Sequence, residues 1–235
     1  MNIKPNFLLN YVDYIYDGTI QKGNIVGCHI DKLDDLNNKI NYKIKIVLDI
    51  GDLGIVTLGN LIRIQASRTF KKYIKLSKYI TLYCNNVYNY NKQIISVPLG
   101  TIHDLPEYKI KKEKLIKFNF NKKTHPEYRP FLYDFLQANY IENNEIEYWK
   151  DLSSAKTHVC PIGNGIDTYR IWEGYFYNTV PIHNIYFPYH LPNIYKPCLF
   201  KLDKIKEEYN KILDNWNNFN WAQLTQEYWI NKLYD

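Results

Sequence analysis

The sequence predicts an α/β protein whose strands form buried parallel sheets. Short continuous apolar runs rich in Ile and Val recur along the chain, as is typical of strands covered on both faces. Segments of helical length separate these runs, which parallel strands require for their crossover connections. The composition agrees, because 46% of the 235 residues are hydrophobic and 23% are charged, which is ordinary for a globular chain.

Five apolar runs in the first half of the chain are predicted to form one sheet. They are bounded by polar and turn-forming residues, as strands usually are. Pro98, Leu99 and Gly100 end the set with turn chemistry, and a lysine-containing connector follows at 101–112. The predicted strands span residues 24–30, 44–50, 61–66, 79–84 and 93–97.

A second α/β unit is predicted after the connector, so that the chain divides into residues 1–110 and 111–235. Two such units facing one another would leave a cleft, which is the usual place for a ligand. Strands are predicted at 115–120, 179–182 and 198–202, and residues 158–161 are predicted to end a further strand. Helices are predicted at 131–136, 146–152, 166–177, 204–216 and 221–233.

Charge and cysteine usage exclude several classes of protein. The net charge is +6, and acidic and apolar residues interrupt the densest lysine run at 109–123, so the sequence predicts no nucleic-acid partner. No apolar stretch is long enough to span a bilayer and no signal-peptide pattern opens the chain, which predicts a cytoplasmic protein. No cysteine pair has zinc-site spacing, so buried free thiols are predicted at Cys28, Cys84, Cys160 and Cys198.

The segment from His158 to Gly174 carries the clearest chemistry, because strand, glycine-rich turn and helix follow in order. Glycines such as Gly163 and Gly165 let backbone approach a phosphate closely. The N–H groups and partial positive charge at the start of the following helix attract anions. Thr168 can add a hydroxyl donor.

The predicted helix carries three charged side chains. Asp167 and Arg170 are three residues apart and are predicted to share a helical face. Arg170 can bind a diphosphate with two parallel hydrogen bonds, and Glu173 can accept hydrogen bonds from ribose hydroxyls. Alternatively, the glycines serve only a turn, and Arg170 pairs with Asp167 or Glu173 in an ordinary helix ion pair. The pattern by itself leaves both interpretations open.

The same segment fits a dinucleotide-binding loop poorly. That loop reads Gly-x-Gly-x-x-Gly, and Thr168 stands at the third glycine position. The acidic residue expected about twenty positions later for the ribose is missing from 186–191. The segment therefore gives only weak support to a dinucleotide-binding oxidoreductase.

The loop resembles the donor-site signature of the exostosin-like (family 47-type) glycosyltransferases. The residues that carry the resemblance are Cys160, Pro161, Gly163, Asn164, Gly165, Ile166, Asp167, Thr168, Arg170, Trp172 and Glu173, followed by Val180, Pro181 and Ile182. Ser96–Gly100 resembles the segment that ends the acceptor half in that family, and 115–122 with Arg129 resembles its strand before an arginine-containing helix. Ile162 replaces the usual basic residue, and Asn178 or Thr179 replaces a usual glycine.

The resemblance implies a GT-B fold of two Rossmann-like domains and transfer of a sugar, with inversion, from a nucleotide diphosphate that is often UDP. By position, Arg170 would neutralise the diphosphate and Glu173 would hold the ribose. Gly163, Asn164 and Gly165 would form the loop near the phosphates or the sugar. In GT-B enzymes the last helix often crosses back to the first domain, and the helix at 221–233 is a candidate for this.

Inverting transfer also needs a general base, which is expected at a strand end in the first unit. Asp52 is the first candidate because it follows the strand at 44–50 between two glycines. His29 and Asp31, which follow the first strand, come next, and His103 is third. Asp52 and His29 also have purely structural interpretations. Asp52 fits a turn or a helix cap, and His29 fits a buried core imidazole.

The function predicted from the sequence is metal-independent glycosyl transfer from a nucleotide-sugar donor to a glycan or other hydroxyl acceptor. No Asp-x-Asp motif is present, so no metal is expected. A sugar- or nucleotide-binding protein without a working base is the alternative outside enzymes. The sequence does not predict which sugar is moved, the acceptor or the oligomeric state.

Overall fold

The chain folds into two α/β units. The N-terminal unit comprises Asn2–Leu99, Asn164–Asp167 and Ala222–Asp235, and the C-terminal unit comprises Gly100–Gly163 and Thr168–Trp221. The computed structural model describes residues 3–50, 54–58, 61–66, 70–87, 91–121, 123–124, 129–135, 144–163, 167–183, 191–192, 194–195 and 201–235.

Twelve strands and six α-helices lie in the described residues. The strands are β1 (Tyr14–Ile15), β2 (Ile25–His29), β3 (Ile44–Asp49), β4 (Gly54–Leu58), β5 (Leu61–Ala66), β6 (Phe70–Lys75), β7 (Ile80–Cys84), β8 (Ile94–Ser96), β9 (Lys114–Lys117), β10 (Ala155–Val159), β11 (Val180–His183) and β12 (Ile194–Tyr195). The helices are α1 (Leu33–Lys39), α2 (Arg129–Phe135), α3 (Glu145–Ser153), α4 (Tyr169–Phe176), α5 (Leu202–Asp214) and α6 (Gln226–Tyr234).

A five-stranded parallel sheet in the order β1-β2-β3-β7-β8 forms the centre of the N-terminal unit. Most residues of the apolar runs from which β2, β3 and β7 were predicted are buried. The first four residues of β2, from Ile25 to Cys28, are buried, and only His29 at the end is exposed. The parallel α/β class predicted from the sequence is confirmed.

The prediction that 61–66 belongs to this parallel sheet is wrong. Strand β5 pairs with β4 and β6 in a separate antiparallel sheet of three strands. Its sequence alternates partly between apolar and polar residues, with Arg63 and Gln65 between apolar neighbours. That alternation is typical of an antiparallel sheet, whereas β2 and β3 are nearly continuous apolar runs.

Helix α6 belongs to the N-terminal unit although it ends the sequence. Two hydrogen bonds connect its last carbonyls to the parallel sheet: Lys45 Nζ donates to Leu233 O at 2.7 Å, and Tyr83 OH donates to Lys232 O at 2.8 Å. The predicted helix at 221–233 is shorter than expected, because Thr225 caps α6 through Tyr228 N at 3.3 Å. A 3-10 turn, Trp221–Leu224, precedes that cap.

The C-terminal unit contains a four-stranded sheet in the order β12-β11-β10-β9, and all of its neighbouring strands are parallel. Helix α3 precedes β10, and α4 connects β10 to β11, so parallel strands alternate with helices as predicted. Parallel sheets together with helices are consistent with a Rossmann-like fold, although in the N-terminal unit strands β4, β5 and β6 stand between β3 and β7 in the chain. The predicted strand at 198–202 lies mostly outside the described residues, and α5 begins at Leu202.

Apolar side chains of the strands and helices fill a separate core in each unit. In the N-terminal unit Val26, Ile46 and Leu82 are completely buried at the centre of the sheet. In the C-terminal unit the core includes Val159 and Ile182 of the sheet with residues of α5. The predicted buried free thiols are confirmed for Cys28, Cys84 and Cys160, and Cys198 lies outside the described residues.

Candidate functional site

The glycine-containing loop lies at the carboxyl end of β10, between that strand and α4. Strand β10 ends at Val159, the loop runs through Gly163, and α4 begins at Tyr169 after Thr168 as its N-cap. The predicted order of strand, turn and helix is therefore present. In a parallel α/β sheet, this edge is where ligands usually bind.

Arg129, the first residue of α2, holds the loop through hydrogen bonds from its guanidinium group to backbone carbonyls. Only 1% of the residue is exposed, and all three of its guanidinium nitrogens donate to backbone carbonyls. Nε donates to Ile162 O at 2.8 Å, Nη2 to Pro161 O at 3.2 Å and Nη1 to Asn121 O at 2.8 Å. Burial lowers the pKa of Arg129 to about 10, and the nearby Arg170 adds to this, yet the group remains a cation at neutral pH.

Gly163 lies between this guanidinium and the start of α4. A Cβ atom built on Gly163 would lie 3.4 Å from Arg129 Nη2 and 3.5 Å from Thr168 Cγ2. The loop therefore brings a glycine, a buried cation and a helix N-terminus together. Each of these favours an anion through close backbone approach, through charge or through unpaired N–H groups.

Thr168 makes this helix N-terminus unusual. An N-cap threonine normally accepts a hydrogen bond from a backbone N–H of the first turn, but the Thr168 side chain makes no such bond. Its Oγ1 is buried and has no hydrogen-bond partner among the described residues, and only 9% of the residue is exposed. A buried hydroxyl without a partner costs about 1–3 kcal/mol, which a ligand oxygen would recover.

Arg170 and Glu173 are held together by Tyr148 of α3. The Tyr148 hydroxyl donates to Glu173 Oε2 at 3.1 Å, and the Arg170 guanidinium carbon lies 5.8 Å from the centroid of the Tyr148 ring. Arg170 is partly exposed, and its Nε donates to Asn119 O at 3.2 Å. Burial raises the pKa of Glu173, while the positive charge of Arg170 acts in the opposite direction.

The edge of the sheet around these residues carries further positive charge. Lys117, at the end of β9, is 6% exposed and lies with its Nζ 5.8 Å from the centroid of the Tyr148 ring. Asp151 forms an ion pair with it. Burial lowers the pKa of His158 to about 3, and the charges of Arg170, Lys112 and Lys117 contribute in the same direction. Asp151 offsets the charge of Lys117, and the positive charge that remains near the loop is that of Arg129 and Arg170, which favours an anion over a cation.

The predicted pairing of Asp167 with Arg170 on one helical face is wrong, because α4 begins only at Tyr169. Asp167 instead contacts residues of the N-terminal unit, to which it belongs. Its Oδ2 accepts from Leu99 N at 2.8 Å, and its backbone N donates to Asn86 Oδ1 at 3.0 Å. Its carboxylate therefore supports the fold of that unit.

Two of the predicted base candidates lie together at the carboxyl end of β2. His29 Nδ1 and Asp31 Oδ2 are 3.3 Å apart, and both side chains are more than half exposed. The alternative of a core imidazole at His29 is therefore wrong. His29 is the register partner of Asp49 at the end of β3. Asp52, the first candidate, lies outside the described residues, as do Asn164 and Gly165 of the loop.

His103, the third base candidate, lies in the C-terminal unit. Its Nε2 is 3.6 Å from Glu145 Oε1, and its ring packs 5.9 Å from that of Trp149. A base was expected at a strand end of the first unit, and His103 does not fulfil that expectation because it lies in the other unit.

Comparison with known proteins does not assign the chain to a family. No family model matches the sequence, and no curated protein matches it. The likeness to exostosin-like enzymes therefore rests on the loop residues themselves.

Two further expectations from the sequence concern metal binding and membrane-spanning segments. Within the described ranges, no group of three or more His, Cys, Asp or Glu residues is placed to hold a metal ion, and metal independence stays a prediction. None of the helices in that part of the chain is both long and apolar enough to cross a membrane.

Three residues of this site were missed or undervalued from the sequence: Arg129, Tyr148 and Lys117. Arg129 stands 33 positions before Ile162, so its contact with the loop has no local signature. The sequence singled it out only through the resemblance of 115–122 and Arg129 to the family's strand before an arginine-containing helix, and nothing in that resemblance indicated a contact with the loop. Tyr148 is one of 23 tyrosines and Lys117 is one of many lysines, so neither could be singled out by composition.

Replacing Gly174 with alanine should destabilise the C-terminal unit strongly. A Cβ atom at Gly174 would lie 2.0 Å from His158 Cε1 and 2.8 Å from its Nε2, so the buried imidazole must move. Overpacking of this kind costs about 1–3 kcal/mol. Urea denaturation measures this, and Gly163→Ala is the matched control, because its new Cβ would make only contacts of 3.4 Å or more. Equal losses in both variants would contradict the account of His158 packing.

Acidification should destabilise the protein through His158. Its pKa falls from 6.5 to about 3 on folding, so below pH 6.5 the unfolded chain takes up a proton that the folded chain does not. Stability attributable to this residue should therefore fall by about 2 kcal/mol as the pH falls from 6.5 to about 4.5. The raised pKa of Glu173 acts in the opposite sense. The free energy of unfolding is therefore measured against pH in the wild type and in His158→Gln. The Glu173 contribution is present in both proteins and cancels from their difference.

The difference in pH dependence between these two proteins decides the prediction. A wild-type slope that His158→Gln does not alter would show that the folded protein protonates His158 readily.

Proposed function

We propose that the chain is an inverting, metal-independent glycosyltransferase of the GT-B type. In this proposal the C-terminal unit holds a nucleotide-diphosphate sugar, with UDP as the expected nucleotide, and the acceptor is a glycan or another hydroxyl compound. One observation chiefly supports it. Buried Arg129 lies beside Gly163 and is close enough to Arg170 for the two charges to interact, and the Thr168 hydroxyl, which has no partner among the described residues, lies at the start of the same helix as Arg170.

A pyrophosphate matches the chemistry of this arrangement. Arg129 gives its donors to the loop carbonyls and contributes charge, whereas Arg170 is partly exposed and has nitrogens beyond Nε to offer. Guanidinium groups bind phosphate oxygens through two parallel, charge-assisted hydrogen bonds. The N–H groups at the start of α4 and the Thr168 hydroxyl would complete the contacts.

Glu173 is proposed to bind the ribose. It lies one turn after Arg170 on α4, and Tyr148 holds its Oε2 at 3.1 Å. A carboxylate at that distance along the helix from a diphosphate can accept hydrogen bonds from vicinal hydroxyls. Tyr148 would thus position both ends of the nucleotide contact, because it touches Arg170 with its ring and Glu173 with its hydroxyl.

The reaction forms a bond between the acceptor oxygen and the anomeric carbon while the bond from that carbon to the diphosphate oxygen breaks. The acceptor proton passes to a base, and positive charge stabilises the departing diphosphate. Asp52 stays the first candidate for the base. His29 is the described alternative, because it is exposed at the carboxyl end of β2; Asp31 Oδ2 lies 3.3 Å from its Nδ1, which also accepts a hydrogen bond from Asp31 N at 3.4 Å.

A thermal-shift panel of UDP, GDP, CMP and NAD tests the donor assignment. UDP should raise the melting temperature, and the shift should disappear in Arg170→Ala and Glu173→Ala. The control variant is Lys206→Ala, an exposed position on α5, which should retain the full shift. Stabilisation by NAD alone would support the dinucleotide-binding oxidoreductase and would contradict the proposal.

Hydrolysis of UDP-sugars separates an enzyme from a binding protein without a working base. The wild type should release UDP slowly from at least one common UDP-sugar. Asp52→Asn or His29→Gln should lower this turnover about 10²–10⁴-fold, because a positioned base contributes that much. UDP affinity should stay unchanged in both. UDP binding without turnover for any donor or acceptor tested would favour the binding protein.

A further inference from the structure

A cleft lies in the N-terminal unit, at the amino ends of its central strands. It encloses about 660 Å³, which is within the range of pockets that bind small molecules. It is at the opposite edge of the sheet from His29 and Asp31, which follow the carboxyl end of β2. Its lining consists of Asp13, Asn24, Ile25, Lys43, Ile44, Lys45, Lys78, Tyr79, Thr81, Leu233 and Tyr234.

The lining is positively charged. Three lysines, Lys43, Lys45 and Lys78, contribute to it, and Asp13 is its one acidic residue. The Asp13 carboxylate is already hydrogen-bonded within the protein. Its Oδ2 accepts from Asn24 N at 2.7 Å and from Ile25 N at 2.8 Å. A ligand in the cleft would therefore meet an excess of ammonium groups, which favours an anion.

The sheet places one of these lysines at the floor of the cleft. Lys45 is the register partner of Ile25 on β2 and of Thr81 on β7, so the three side chains project from the same face in a row. Lys45 Nζ is fixed by Leu233 O at 2.7 Å. Lys43 and Lys78 precede β3 and β7, are exposed, and form the rim.

Two aromatic rings accompany the lysines. Tyr79 is partly buried, and Lys78 Nζ lies 5.1 Å from the centroid of its ring. Tyr234 is 59% exposed, and its hydroxyl donates to Tyr11 O at 3.0 Å, which fixes the end of the side chain. Flat rings beside ammonium groups suit a ligand with both a ring and an anionic group.

We propose that this cleft binds a small phosphorylated ring compound, either a sugar phosphate or a nucleoside monophosphate. Its phosphate contacts Lys43 and Lys78 at the rim, and its ring packs against Tyr79 and Tyr234. The Thr81 hydroxyl and Lys45 contact the ring substituents on the floor. The proposal does not depend on the donor site, which lies in the other unit.

Calorimetric titration with glucose 6-phosphate and with AMP tests this site. Inorganic phosphate and glucose are the comparison compounds, because each carries only one part of the proposed ligand, the phosphate or the ring. The protein is the full chain carrying Arg170→Ala, so that binding at the proposed donor site is weakened. At least one of the two ring phosphates should bind at least ten times more tightly than either partial ligand. The better of the two identifies the class.

Paired lysine substitutions locate the binding. Lys43→Gln with Lys78→Gln should weaken binding at least tenfold, and raising the salt concentration should weaken it in the parent. The control pair Lys111→Gln with Lys206→Gln removes the same charge from exposed positions of the other unit and should change nothing. Tyr234→Ala should weaken ring phosphates but not inorganic phosphate.

Three results would overturn the assignment. The first is no binding of either ring phosphate. The second is equal affinity for inorganic phosphate, which would indicate a nonspecific basic surface. The third is equal loss in the test and control pairs. Both substituted lysines are exposed, so far-ultraviolet circular dichroism should show an unchanged fold in each variant.

Discussion

Arg129→Ala should lower the free energy of unfolding by about 3 kcal/mol or more. The substitution removes a large side chain of which 1% is exposed and leaves the carbonyls of Asn121, Pro161 and Ile162 without their donor. Each unsatisfied buried polar group costs about 1–3 kcal/mol, and the lost volume adds to this. Relief of repulsion from Arg170 offsets part of the loss. Urea denaturation gives the value.

Arg129→Lys distinguishes the role of the planar guanidinium from that of charge. A lysine keeps the cation but cannot reach three carbonyls in the same fork, so it should recover only a small part of the stability. Lys206→Ala, on the exposed face of α5, should change stability by less than about 0.5 kcal/mol. A loss below 1 kcal/mol in Arg129→Ala would contradict the view that this residue fixes the loop.

Arg170→Ala should weaken UDP binding about 10- to 100-fold with little loss of stability. Hydrogen bonds to charged groups contribute about 1.5–3 kcal/mol each, which corresponds to this range. The residue is partly exposed, and the structure gives it one backbone hydrogen bond, to Asn119 O. Calorimetry gives the affinity, and denaturation of the same samples gives the stability.

The two arginines should therefore behave differently. Arg129→Ala should lose stability and affinity together, whereas Arg170→Ala should lose affinity while remaining folded. Arg170→Lys should keep part of the affinity, since charge remains but the bidentate geometry is lost. Unchanged UDP affinity in folded Arg170→Ala would remove this residue from the donor site.

Much of the sheet structure follows from local sequence. Strands β2 and β3 are nearly continuous apolar runs rich in Ile and Val, interrupted in β3 by Lys45, and such runs are typical of parallel sheets. The order of strand, loop and helix from β10 to α4 was predictable because glycine marks the loop between them. Strand β5 was assigned to the wrong sheet because pairing depends on neighbours that a single run does not reveal.

The site was only partly predictable. Arg170 and Glu173 are close to the glycine loop in sequence, so the motif points to them directly. Arg129 and Tyr148 reach the loop and α4 from elsewhere in the fold, and no spacing rule connects residues so far apart. Asp167 shows the opposite error: its proximity to Arg170 in sequence suggested a shared helical face, but the helix starts two residues later.

The affinity series UDP, UMP and uridine, measured by calorimetry on the wild type, tests the central claim most directly. The claim is that the loop after β10, the start of α4 and the Arg170 guanidinium bind a pyrophosphate, and that Arg129 contributes positive charge. UDP should bind at least tenfold more tightly than UMP, uridine should bind most weakly, and Arg170→Ala should reduce the difference between UDP and uridine. Equal affinities for UDP and uridine in the wild type would contradict the claim.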